Sequence, residues 1–241
     1  MFSFPKQAEF NRPLPKSKIY AFARPTRAVK NQIVSGILDI VWKYKLAPET
    51  VNLPARHGIH EIQVFEIRLK TGEIGEDVLR AIDEAIPSPI FHHLLFQDRE
   101  RWAAAYKRPA TVGNRQVVES YFHTAWGKDE GTRMKDEEAN VSNAHSPFIL
   151  HPSTFNLHPT SFPLDLSALY EEMLSRVIPL ARRPGESLAA LVDRSVQLRA
   201  KERECRDLEA RLRKERQFNR KVEINAAIRA ARMSLAALQH S

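Results

Sequence analysis

Four charged residues in the first third of the chain have the types and spacing of a metal-dependent nuclease site. Glu66, Arg68 and Lys70 alternate with the two-residue period of a strand, so their side chains share one face. Asp39 begins the preceding predicted strand and could supply a second carboxylate for Mg²⁺. However, such sites place lysine two residues after the glutamate, where this chain has Arg68. An ordinary half-exposed strand gives the same pattern, so the nuclease is the weaker of the two interpretations.

The histidines and the single cysteine do not show the spacing of a metal site or a catalytic triad. His57 and His60 lie three residues apart without a nearby cysteine, and the adjacent His92 and His93 face opposite sides of a predicted strand. Cys205 is the only cysteine, which excludes a disulfide within the chain. The eight glycines form no phosphate-binding loop pattern. We therefore predict neither a metal nor a cofactor.

A cluster of cations near the C-terminus is the better candidate for contact with nucleic acid. Six of the eleven residues from 211 to 221 are basic: Arg211, Arg213, Lys214, Arg216, Arg220 and Lys221. Phe218 lies among them. Cations spread around a helix can follow phosphates without reading bases. An acidic partner protein fits the same charges, so both interpretations stay open.

The cations belong to a segment that we predict to be one long helix, from about residue 186 to about residue 239. Neither Gly nor Pro interrupts it. Apolar residues recur with the spacing of a coiled-coil seam, although the two halves differ in register, which indicates a stutter or a bend between Arg213 and Lys221. So weak a seam must lie against a partner, a second copy of the chain, or the chain's own N-terminal domain. We assign partner binding to Leu191, Leu198, Leu212, Phe218, Ile224, Ile228 and Leu235.

The elements before this helix predict an α+β fold with a small mixed sheet of about five strands and two helices. The predicted strands are 39–46, 60–70, 90–96, 101–106 and 116–124, and the predicted helices are 26–37 and 76–86. Residues 1–25 carry four prolines and are predicted to be a basic arm. We divide the chain into an α+β domain at 1–126, a long loop at 127–163 and a helical coiled-coil tail at 164–241, whose first helix spans about 165–180.

Composition sets broad limits on function. The chain has 241 residues, 43% of them apolar, a formal net charge of +8 and a pI near 9.7. The excess of positive charge permits nucleic-acid contact, but a solvated helix face explains it equally well. No run of eighteen apolar residues is present, and the N-terminus lacks the apolar core of a signal peptide. We expect a cytoplasmic protein with no membrane partner.

Four segments resemble a bacterial family catalogued only as a domain of unknown function. Their sequences are WKYKLAPETVN at 42–52, EIQVFEI at 61–67, AIDEAIP at 81–87 and QFNRKVEIN at 217–225. The resemblance extends from about residue 12 to about residue 238. Genes of this family often lie beside genes for SNF2-type helicases, DEAD-box helicases and site-specific DNA methyltransferases, in what look like restriction or phage-defence loci. No catalytic residue carries over from the resemblance.

The resemblance implies an accessory subunit that works near DNA-acting enzymes. We therefore predict a non-catalytic scaffold of a bacterial restriction or anti-phage defence complex, which binds a helicase or a methyltransferase. Direct contact with DNA stays open. The alternatives are a metal-dependent nuclease subunit that uses Glu66, Arg68 and Lys70, and a sensor that binds a phage product.

Overall fold

A computed structural model describes residues 2–109, 116–128 and 163–239. The chain divides into two compact units, unit 1 at Met1–Val177 and unit 2 at Ile178–Ser241. Each unit is described by itself. None of the helices in the described ranges combines the length and the apolar composition needed to cross a bilayer.

Unit 1 contains a seven-stranded sheet, two strands more than the sequence predicted. The strands are β1 Glu9–Pro13, β2 Ile37–Leu46, β3 Ile62–Leu69, β4 Ile90–Phe96, β5 Arg99–Pro109, β6 Gln116–His123 and β7 Gly127–Lys128. Strands β1 to β6 follow one another across the sheet, and β7 pairs with β5. Only β3 and β4 run parallel; every other pair is antiparallel. A parallel pair requires a crossover, and the helix between these two strands supplies it.

One face of the sheet is covered by helices of the first half of the chain. These are α1 Lys16–Ala23, α2 Arg27–Gly36 and the crossover helix α4 Glu76–Ala85; a single turn, α3 Pro48–Val51, follows β2. Val78, Leu79 and Ile82 of α4 are fully buried, as their helical spacing predicts. They pack in one core with Phe65 and Ile67 of β3. This core fixes the positions of the polar groups described below.

The opposite face of the sheet is partly covered by the N-terminus and by a later helix, α5 Leu166–Val177. The ring of Phe2 packs edge-on against Trp102, with 4.7 Å between ring centroids, and Phe4 lies 4.8 Å from Tyr44. The hydroxyl of Tyr170 in α5 accepts a hydrogen bond from the backbone N–H of Lys107, at 3.0 Å. The sequence grouped this helix with the tail, whereas in the structure it packs on the sheet.

The mixed α+β class is confirmed, and the five predicted strands are present with their ends shifted by three residues or fewer. The prediction of an N-terminal arm is wrong, because residues 9–13 form an edge strand on β2 and Ile19 of α1 lies in the core. This strand escaped notice because its only large apolar side chain is Phe10, which packs against Trp42 at 4.3 Å. Of the predicted loop at 127–163, residues 129–162 lie outside the described residues.

Unit 2 contains two helices rather than one, α6 Leu188–Lys214 and α7 Phe218–Gln239. They pack against each other as a helical hairpin joined by residues 215–217. Ser187 caps α6, as predicted, and accepts a hydrogen bond from the N–H of Ala190 at 3.2 Å. The prediction of one uninterrupted helix is therefore wrong, and the break falls inside the segment where the sequence indicated a stutter or a bend.

Candidate nucleic-acid interface

The hairpin tip, residues 211–221, consists of the last turn of α6, the connection and the first turn of α7. All six predicted cations lie there and all are exposed: Arg211, Arg213, Lys214, Arg216, Arg220 and Lys221. Within the described part of the chain, none of the six forms an ion pair. Phe218 begins α7 and is 78% exposed. The cations therefore converge on one end of the hairpin instead of following the length of a rod.

The carboxylate of Glu215 explains why the chain turns without Gly or Pro. Its Oε1 accepts hydrogen bonds from the N–H groups of Arg216 and Gln217, at 2.7 and 2.9 Å. Both N–H groups belong to the connection that precedes α7, so the Glu215 carboxylate holds the turn between the two helices. These two bonds also lower the pKa of Glu215.

The helix dipoles act unequally on the two sides of the tip. Arg211, Arg213 and Lys214 lie in the last turn of α6, where cations are favourable. Arg220 and Lys221 lie at the start of α7, where cations are unfavourable and acidic residues would stabilise the helix. The first turn of α7 contains no acidic residue. The dipole of α7 therefore does not explain the positions of these two cations, although both attract the Glu215 carboxylate and so help to lower its pKa.

A buried arginine closes the other end of the hairpin, which we call the base. The guanidinium of Arg194 donates to both carboxylate oxygens of Glu186, at 2.7 and 2.8 Å. It also donates to the carbonyl oxygen of Leu238 at 3.1 Å, and Arg183 donates to the same carbonyl at 3.2 Å. Two arginines therefore cap the end of α7 and hold it beside the start of α6. The hydrogen bond from Arg194, against the opposing effect of burial, lowers the pKa of Glu186 to about 2.

The base and the tip are well separated. Helix α6 has 27 residues, which at a rise of about 1.5 Å per residue span roughly 40 Å. The hydrogen bonds at the base thus fix the hairpin without touching the cations at its far end.

Most residues of the predicted partner-binding seam are covered within the chain, whereas an isolated single helix would expose them. Leu191, Leu198 and Ile228 are buried, and α6 packs against α7. Leu212, Ile224 and Leu235 are half-buried, and Phe218 is exposed. Intramolecular packing therefore accounts for most of the seam, and binding of a partner by these residues stays a prediction.

The four residues of the nuclease alternative are engaged in other contacts. Arg68 donates to both carboxylate oxygens of Asp39, at 2.8 and 2.5 Å. Glu66 lies 3.7 Å from the ammonium of Lys43. Lys70 donates to the backbone carbonyl of Val34 at 2.8 Å. The structure thus pairs Asp39 with Arg68, while Glu66 lies near Lys43 and Lys70 bonds to the backbone.

A fully buried polar network in unit 1 was missed by the sequence analysis. The Asp83 carboxylate lies 2.9 Å from His92 Nε2 and 2.8 Å from the Lys107 ammonium, and it accepts the hydroxyl hydrogen of Tyr121 at 2.5 Å. Burial opposes ionisation of Asp83, but Lys107 and His92 outweigh it and lower the pKa to about 2. Burial also raises the pKa of Tyr121. Because the Asp83, His92 and Lys107 side chains are fully covered, we interpret this network as structural.

A signal for the network was present in the sequence. Asp83 lies four residues after Leu79, on the buried face of α4, and so had to find a polar partner in the core. Lys107 also donates to the carbonyls at the end of α4, those of Ile86 and Ser88, at 3.1 and 2.8 Å. The sequence could not show that the partner of Asp83 is Lys107 of β5, which lies 24 residues later.

The two adjacent histidines have separate partners, as their opposite faces predicted. His92 bonds to the buried Asp83 of α4. His93 stacks on Trp102, with 4.3 Å between ring centroids, and its Nε2 lies 2.6 Å from the Glu100 carboxylate. The hydrogen bond to His93 lowers the pKa of Glu100. Among the residues that the structure describes, no group of three or more His, Cys, Asp or Glu residues could hold a metal ion.

Comparison with known proteins gives a family but no relative of established activity. Residues 2–235 match the family described as Domain of unknown function (DUF4391), and the chain therefore belongs to that family. No curated protein and no solved structure matches the chain. Family membership thus agrees with the resemblance seen in the four segments, while the gene neighbourhood stays an expectation.

Proposed function

We propose that this member of the DUF4391 family is a non-catalytic accessory subunit of a bacterial restriction or anti-phage defence complex and binds nucleic acid through the hairpin tip. The observation that carries the proposal is the set of six exposed cations at that tip, none with an ion-pair partner in the described part of the chain. Two of them stand at a helix end where they are unfavourable for stability. Phosphate groups would satisfy all six.

Salt dependence of DNA binding tests the role of the tip. Each phosphate that a protein neutralises contributes about 0.9 to the slope of log affinity against log salt for duplex DNA. Replacing Arg213, Lys214 and Arg216 by Gln in the full chain should therefore reduce that slope by about 2–3. Fluorescence anisotropy with a labelled 20-nucleotide DNA between 50 and 300 mM salt measures it. An affinity that ignores salt would exclude phosphate binding.

A matched control removes the same net charge elsewhere. Lys6, Lys18 and Arg27 are exposed cations of unit 1, and none has an ion pair among the described residues. Replacing these three by Gln should leave the salt slope within about 0.5 of the original value if binding is confined to the tip. An equal loss in both triple variants would assign the interaction to overall charge.

The proposed partner is a helicase or a DNA methyltransferase encoded nearby, and this part of the proposal comes from the family resemblance. We expect unit 2 to be the docking element. Co-expression with each neighbouring gene product, with and without residues 178–241, tests this expectation. Retention of the partner by the truncated chain would exclude unit 2 as the docking element. Light scattering of the purified chain separately tests self-association through the hairpin.

A further inference from the structure

Phe218 is a feature of the tip that phosphate binding leaves unexplained. It is among the most exposed large apolar side chains of the described residues, although Leu164 is more exposed. Exposing a phenyl ring to water is unfavourable, and ammonium and guanidinium groups, not aromatic rings, are what phosphates require. The ring therefore indicates a ligand with an apolar surface as well as negative charge.

The ring is held on an ordered element rather than on a loose loop. Phe218 is the first residue of α7, directly after the turn fixed by the Glu215 carboxylate. A hydrogen bond from the N–H of Lys221 to the carbonyl of Gln217, at 3.0 Å, closes the first turn of this helix. Backbone hydrogen bonds thus fix the position of Phe218, which lies two residues after Arg216 and two residues before Arg220 in the sequence.

An aromatic ring between phosphate-binding cations matches one nucleic-acid form better than another. Single strands expose the flat faces of their bases, and aromatic side chains stack on those faces while cations follow the backbone. In a duplex each base face is covered by its neighbours, and only the edges remain accessible. A phenyl ring has no hydrogen-bonding group with which to read an edge.

We infer that the hairpin tip binds single-stranded nucleic acid, with Phe218 stacked on an unpaired base and the surrounding cations on the flanking phosphates. This inference rests on the proposed function, since it names the ligand of the same tip. It adds a preference that charge alone does not produce. A partner protein is the competing ligand, and it predicts that the chain binds neither single-stranded nor duplex DNA.

The test compares a labelled 20-nucleotide single strand with a blunt duplex of the same length, both with the full chain at low salt. Stacking on one base is worth enough to change affinity by about 5-fold to 150-fold. Phe218→Ala should weaken single-strand binding by a factor in that range and duplex binding by less than about 2-fold. Phe218→Trp should retain single-strand binding, and the added tryptophan emission should be quenched when the strand is bound.

Met233 provides a matched control, because it is 75% exposed on the same helix but outside the tip. Met233→Ala should change neither affinity by more than about 2-fold if the effect belongs to the stacked ring. Since both side chains are exposed, neither substitution should alter the melting temperature.

The outcomes distinguish the two proposals. If Phe218→Ala leaves single-strand binding unchanged while the triple variant of Arg213, Lys214 and Arg216 loses it, stacking is wrong and phosphate binding stands. If the duplex binds as tightly as the single strand, the preference is wrong. If the unmodified chain binds neither DNA at 50 mM salt, the proposed function itself fails.

Discussion

The deepest charges of unit 1 are paired, whereas the cations at the tip of unit 2 are exposed and have no ion-pair partner in the described part of the chain. In unit 1, the Lys107 ammonium and the Asp83 carboxylate form an ion pair at 2.8 Å, away from water. A buried charge must be paired, so we assign these residues a role in the stability of the fold. The helix dipole disfavours an exposed cation at a helix N-terminus, so the cations of the tip indicate binding of a ligand from outside the chain. Charge alone therefore does not identify a functional surface; its partners and its place on the helix do.

The largest expected effect tests the paired side of this comparison. Asp83→Asn leaves the Lys107 ammonium buried without its counter-charge, which should lower the free energy of unfolding of unit 1 by about 3–5 kcal/mol. Urea unfolding followed by tryptophan fluorescence measures it, because all three tryptophans lie in unit 1. Glu49→Gln is the control, since the Glu49 carboxylate is exposed and its pair with Lys45 should contribute little to stability.

The same network predicts how stability depends on pH. The folded-state pKa of Asp83 is about 2, below the ordinary value near 3.8. A lowered pKa contributes stability that is complete above the unfolded value and is lost as the pH falls toward 2. Unit 1 should therefore lose about 1.5–2 kcal/mol between pH 4 and pH 2 from this group. Asp83→Asn should flatten that part of the curve; an unchanged curve would show that Asp83 is not the group that titrates.

A smaller effect is expected at the base of the hairpin. Glu186→Gln removes the charge that Arg194 holds with two hydrogen bonds, and bonds of this kind are worth about 1.5–3 kcal/mol. Hydrogen exchange of the last two turns of α7 should become faster, because the arginines that cap this helix lose their anchor. Binding of DNA by the tip, roughly 40 Å away, should remain within about 2-fold if base and tip act independently.

The smallest effect is expected at the tip and sharpens the comparison most. Arg220→Gln removes a cation that the dipole of α7 disfavours but that attracts the Glu215 carboxylate, so the free energy of unfolding of unit 2 should change by less than about 0.5 kcal/mol. The same change should weaken DNA binding. Thermal unfolding by circular dichroism and anisotropy on one preparation measure both quantities. Lower stability together with weaker binding would mean that Arg220 is a structural residue.

Much of unit 1 follows from local pattern. The alternation in β2 and β3 and the apolar stripe of α4 each identify an element and its buried face, because burial on one side requires that period. Edge strand β1 has no such pattern, since it pairs by backbone hydrogen bonds and needs few apolar side chains. Prediction from local pattern is limited in unit 2 as well, because the heptad-like spacing predicted a helical segment but not its division into two helices.

The candidate site was partly visible from the start. The sequence by itself determined which six cations and which aromatic residue lie together, because they are within eleven positions of one another. Only the tertiary structure decided that they form the tip of a hairpin, since α6 ends at Lys214, α7 begins at Phe218 and the Glu215 carboxylate holds the connection between them. Only it decided that Asp83 meets Lys107, because a buried charge takes its partner from whichever strand the fold brings near.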